Sequence, residues 1–197
     1  MATRKKITLN LKKGLILEAV KTDTYLTGQA EKTIDGANNA RSFTEQAGND
    51  KYHERKLMRT LYGAVGRFEV ELADFVDSSV GTTTSGGTQI YSIDNTLSDE
   101  QDDFTIYFFT SSRFNEGLIK PMCQLAQEYL VNKMIAMWWM AIKPDLANVY
   151  QVYANDSLTS IRKCLTKTSP ATPTTTDGGV TKDITFDSVT GESTDIS

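Results

Sequence analysis

Histidine is almost absent: His53 is the single one in 197 residues, and it sits in the polar stretch KYHERK. A His-dependent triad, a multi-histidine metal site or a histidine general base would each rest on that residue alone. Its surroundings read as those of a solvated or capping side chain. Cysteine is nearly as scarce. Cys123 and Cys164 fall within apolar helical patterns, so both read as small buried hydrophobes, and neither a disulfide framework nor a zinc site is expected. The longest apolar run, Met134–Ile142, is nine residues, against about twenty for a spanning helix. No membrane span is expected. The start, MATRKKITLNLKK, lacks the apolar stretch and small-residue cleavage site of a secretory signal, which gives an expectation of folding in a cytoplasm.

Catalytic motifs are missing too: there is no Walker A, GxGxxG, HExxH, CxxC or GxSxG. Asp102 and Asp103 lie in a turn-rich segment and earn no acid/base role without a pocket. No catalytic, cofactor-binding or metal-ligating residue is expected, and the chain reads as something other than an enzyme.

What is present is a globular composition, 39% hydrophobic and 23% charged, in a chain long enough for one substantial core. The net charge of −4 is unevenly spread. Arg4, Lys5, Lys6, Lys12 and Lys13 make the first thirteen residues basic, with no acid among them. The last thirty carry Asp177, Asp183, Asp187, Glu192 and Asp195 against Lys182 alone. A basic arm and an acidic tail can attract each other between subunits, while the acidic middle argues against a general nucleic-acid binder. Two solvated ends are the plainer alternative.

The arm alternates Ile7, Leu9 and Leu11 with Lys6, Thr8 and Asn10, the period of a half-buried strand, and its lysines suit an exposed edge. After Gly14, Leu17, Val20 and Thr24 share a helical face, and Gly28 is the expected cap. Residues 33–50 read as a loop. From Asp50 to Asp77 the steps of three and four between Leu57, Leu61, Val65, Phe68, Leu72 and Val76 predict one long helix. Gly63 and Gly66 within it suggest close approach of a neighbouring helix.

The stretches Thr88–Ile93 and Phe104–Thr110 then alternate as a β-hairpin around a long acidic loop. Phe104, Ile106 and Phe108 point one way, and Thr105, Tyr107 and Phe109 the other, so this strand lies between two layers or at an interface. The second half is a helical hairpin, from about Asn115 to Lys143 and from Pro144 to about Lys167, because proline fits a first helical turn and not an interior. Trp138 and Trp139 point to different sides of a helix, which suggests core packing for one and an interface for the other.

The fold class is therefore mainly α: a helical bundle with a long central helix and a C-terminal helical hairpin, a small β-hairpin, and extended N- and C-terminal arms. Residues 1–13 form a basic arm or strand, 14–167 a helical body with a β-hairpin insertion near 87–110, and 168–197 a tail to be ordered by partners. Thirteen of those last thirty residues are Thr or Ser. Their few apolar side chains cannot offset the entropy of ordering the segment alone. The candidate assembly residues are Arg4, Lys5 and Lys6 of the arm, Tyr107 and Phe109 of the strand, and Val180, Ile184, Phe186 and Val189 of the tail. The segment KDITFDSV, Lys182–Val189, is expected to add as an extended segment to another subunit, and the basic arm to meet an acidic neighbour.

Three pieces carry a resemblance. They are KITLNLKKGLILEAVKTDTYLTG at Lys6–Gly28, DKYHERKLMRTLYGAVGRFEVELADFV at Asp50–Val76, and the strand DDFTIYFFTSSRF followed by the hairpin with its Trp pair, Lys143, Pro144, and Ile161, Arg162 and Lys163 near the end of its second helix. In that order, over roughly Lys6–Leu165, the chain resembles a family of small virion proteins from phages of Bacteroidetes bacteria, including the crAss-like phages. The resemblance implies a head-to-tail connector: a homo-oligomeric ring of twelve copies, placed in the neck and assembled in the bacterial host cytoplasm. Its implied partners are the portal protein and adjacent neck or tail rings. Genomic DNA would pass through the channel without sequence-specific binding, with no cofactor and no membrane. The long Thr/Ser-rich tail departs from shorter relatives, which end soon after the last helix. The alternatives are another virion structural protein, in the tail tube, in tail completion or as capsid decoration, and a cytosolic helical binding module.

Overall fold

The computed structural model describes residues 4–35, 47, 51–77, 83–84 and 103–168. These residues form a mainly helical body in which four helices pack with a small antiparallel sheet. The sheet is built on its middle strand. Strand β1 (Arg4–Leu11) pairs along its whole length with β3 (Phe104–Ser111), and β2 (Thr83–Thr84) lies on the other side of β3. The register sets Ile7 opposite Phe108, Leu9 opposite Ile106 and Leu11 opposite Phe104, so one face is a continuous apolar surface. All six side chains are buried. The expected β3 partner, Thr88–Ile93, lies outside the described residues. Pairing with the N-terminal strand is favoured because the two apolar alternations match in length and phase, so a one-residue slip would turn every apolar group outward.

Helix α1 (Lys13–Asp35) follows β1 almost directly and buries Ile16, Leu17, Val20 and Thr24. Thr24 Oγ1 donates to Val20 O at 2.8 Å and accepts from Ala47 N at 3.2 Å. The helix does not stop at Gly28 as expected but runs to Asp35. A single glycine costs a helix about 1 kcal/mol and does not end it.

Helix α2 spans Lys51–Glu71, six residues short of the expected Asp77. Leu72 and Phe75 keep the helical spacing, yet the chain turns there. Asp77 N donates to Tyr107 O at 2.9 Å and Phe109 N to Phe75 O at 2.7 Å, so Phe75–Asp77 pairs with the far edge of β3. Gly63 does mark a close approach: a Cβ there would meet Met137 Cε at 3.1 Å. Gly66 does not, with nothing within 4 Å.

A 3-10 turn (Glu116–Leu118), capped by Asn115 Oδ1 accepting from Gly117 N at 3.0 Å, leads into α3 (Ile119–Trp139). Pro121 falls in the first turn of α3, where its missing N–H costs nothing. Helix α4 (Pro144–Thr166) starts at its proline and returns antiparallel to α3. Phe68 of α2 joins the layers, edge-on to Phe108 of β3 at 6.3 Å and tilted against Tyr129 of α3 at 5.1 Å.

Candidate functional site

The outer face of the sheet gathers four of the candidate residues, Arg4, Lys6, Tyr107 and Phe109. Beside Thr105, Tyr107 and Phe109 of β3 run Asn10, Thr8 and Lys6 of β1, and Thr105 Oγ1 donates to Asn10 Oδ1 at 3.1 Å. Tyr107 and Phe109 are half-buried. Lys6 leans across the middle strand: its Nζ stands 4.4 Å from the Tyr107 ring centre and 3.1 Å from Asp77 Oδ2. Lys5 pairs with Glu116, whose carboxyl is held below its ordinary range by the hydrogen bond and then by the charge of that lysine. Arg4 is exposed opposite Ser111. The arm, expected to meet an acidic neighbour, thus has two of its lysines on carboxylates of its own chain. Val180, Ile184, Phe186 and Val189 lie outside the described residues.

A second surface escaped the sequence reading. On α4, Ala147, Ala154, Ser157, Leu158, Ile161 and Leu165 are buried, while Val149, Val152 and Tyr153 are 45%, 56% and 52% exposed. Small residues take the inner stripe near the start of α4, so α3 and α4 pack closely and the larger apolar groups are left outside. Met140 and Ile142 in the preceding turn are exposed as well. The signal was available: Val149, Val152 and Tyr153 form their own i, i+3, i+4 set, out of phase with the alanines. Exposed Asp145 and Asp156 flank this stripe, and exposed Lys51, Arg55 and Arg59 line one face of α2.

The polar groups between helices act as ties. Arg162 donates through Nη2 to Glu71 O at 2.6 Å and to Glu71 Oε2 at 2.9 Å, linking α4 to α2. Lys133 Nζ donates to Gln151 Oε1 at 2.6 Å, and Gln151 Nε2 to Asn155 Oδ1 at 2.9 Å. Burial first, and then the Arg67 charge, pulls Lys133 down. Burial, with the Glu71 charge second, pushes Tyr129 up to about 12. That phenol is neutral over the physiological range.

His53, expected as a solvated or capping side chain, is half-buried, its ring edge-on to Trp138 at 5.4 Å. Nor does either tryptophan face an interface: Trp138 is 1% exposed and Trp139 0%. Helix α2 covers the first, with Lys56 Nζ 4.2 Å from its ring centre, and Lys143 folds back over the second at 4.7 Å while its N–H donates to Trp139 O. Cys123 and Cys164 are free, half-buried thiols, and burial pushes that of Cys123 up. Among the described residues no group of three or more His, Cys, Asp or Glu side chains is placed to hold a metal ion, and no helix is long and apolar enough to cross a membrane. Comparison with protein families, with curated proteins and with solved structures finds no match to this chain.

Proposed function

We propose that this chain is a structural virion protein, the subunit of a head-to-tail connector ring that joins the portal to the tail and extends the DNA channel. The observation that carries the reading is the apolar stripe Val149, Val152 and Tyr153 on the outside of a helix whose inner face is already full. A second copy of the chain suits it. The carboxylates Asp145 and Asp156 beside the stripe are opposite in sign to Lys51, Arg55 and Arg59 on α2, and contact between two different faces of one protein is the kind that closes rings. The pattern resemblance over Lys6–Leu165 supports the same reading, as does the acidic middle of the chain, since negative walls let DNA slide instead of adhering.

Light scattering on Val152→Glu tests it. The variant should keep the helical circular dichroism signal and lose the oligomer that the unaltered chain forms. An unaltered chain that stays monomeric alone and with the portal would refute the proposal. Density away from the portal axis in whole particles would move the protein to another place in the virion.

A further inference from the structure

The outer edge of β1 has no strand beside it among the described residues, because the sheet order is β1-β3-β2. In an antiparallel pair alternate residues turn their N–H and C=O groups away from the partner; on β1 these are Arg4, Lys6, Thr8 and Asn10, and since the Asn10 backbone meets the Cys123 thiol, the edge offered for pairing runs from Arg4 to Thr8. We infer that this edge receives the tail segment Lys182–Val189 of an adjacent copy as an added strand, an inference that rests on the ring reading.

Matching of faces carries it. In KDITFDSV, Ile184 and Phe186 share one side of an extended chain, and Asp183 and Asp187 share the other. On β1, Ile7, Leu9 and Leu11 are buried on the inner side, while Arg4, Lys6, Thr8 and Asn10 are exposed on the outer. An added strand that continues the apolar row with Ile184 and Phe186 therefore sets both aspartates on the outer side; with one opposite Arg4 the other falls opposite Thr8, and Lys6 lies diagonally between them. Either strand direction gives this match. Exposed Lys12 just past the far end adds a further cation.

The length of the connection lets a neighbour be the source. Thr168 pairs with Phe114, three residues from the Ser111 that faces Arg4, so the tail leaves the body beside the start of its own β1. The stretch from Thr168 to Lys182 can extend about 45 Å, whereas β1 itself is about 26 Å long. That reach is more than the chain's own edge requires.

The test uses full-length chains carrying the photo-reactive residue p-benzoylphenylalanine in place of Phe186. Equal amounts of a nitrogen-15 and an unlabelled preparation are mixed in urea, refolded together so that subunits are randomised, irradiated and mapped by mass spectrometry. Crosslinks from position 186 to the stretch from Arg4 to Lys12 are expected, about half of them joining a heavy to a light chain. Adding Asp183→Lys and Asp187→Lys should lower their yield at least fivefold. Crosslinks confined to one isotope would place the segment on its own chain and overturn the inference, as would crosslinks elsewhere or none at all. Oligomer mass is read on the same samples. Rings without β1 crosslinks would refute the strand and keep the ring, and heavy–light β1 crosslinks in small, open oligomers would do the reverse.

Discussion

Lys6 Nζ lies 3.1 Å from Asp77 Oδ2 across the middle strand, with the Tyr107 ring beneath it. The aspartate side chain is 5% exposed, so its charge has little water to compensate it. The pair ties the N-terminal strand to the segment after α2 and so closes the sheet from both sides. The contrast is Lys5 with Glu116, where the carboxylate side chain is 65% exposed.

Lys6→Met keeps the side-chain stem over Tyr107 and removes the Lys6 charge from beside the buried carboxylate. It should cost about 1–3 kcal/mol in urea unfolding. Glu116→Gln should leave the unfolding midpoint unchanged within error, because an exposed pair contributes little. Equal effects would contradict the difference in burial.

Gly66→Ala should stabilise the protein by about 0.5–1 kcal/mol, since alanine favours the helix and the new methyl meets nothing. Gly63→Ala should gain less, because its methyl presses on Met137 Cε at 3.1 Å and that flexible side chain must give way. Urea midpoints of the two variants decide the order; a larger gain at Gly63 would contradict the packing of α2 on α3.

Trp139→Ala should cost about 3–5 kcal/mol, the penalty for emptying a filled core site. Thermal unfolding reads it directly. A loss under about 1 kcal/mol would mean that the ring is not enclosed.

Tyr129 is held at about 12 against an ordinary value of 10.0. Its folded-state value is raised, so the stability it contributes is complete below pH 10 and is lost as pH climbs from about 10 towards 12. Relative to Tyr129→Phe, the unaltered protein should lose stability across that window. Parallel stability curves for the two proteins would contradict the assignment.

Much of this fold was legible because its signals are local. Pro144 starts a helix where a proline should, and the alternation of Phe104, Ile106 and Phe108 marks a strand with one buried face. Other features depend on distant partners. Leu72, Phe75 and Val76 keep the helical spacing, and only the pairing of Val76 with Phe108 shows that the chain has left the helix. Likewise, nothing near Ile7 names Phe108 as its neighbour a hundred residues later; matched alternation allows that pairing, and burial selects it. The burial of both tryptophans was hidden for a related reason, since residues on two sides of α3 can both be enclosed only if α2 and the turn into α4 close over it. The candidate surfaces divide in the same way. The alternation of β3 does separate Phe104, Ile106 and Phe108 from Thr105, Tyr107 and Phe109, whereas spacing alone does not set the exposed stripe of α4 apart from the buried one, because exposure depends on which stripe α3 covers.

The central claim is that copies of this chain close into a ring. Native mass spectrometry of the full-length protein over a range of concentrations tests it most directly. The account predicts one discrete closed species, of twelve copies, that Val152→Glu abolishes without loss of helical signal. A monomer at every concentration, alone and with the portal, or a continuous ladder of open oligomers, would contradict it.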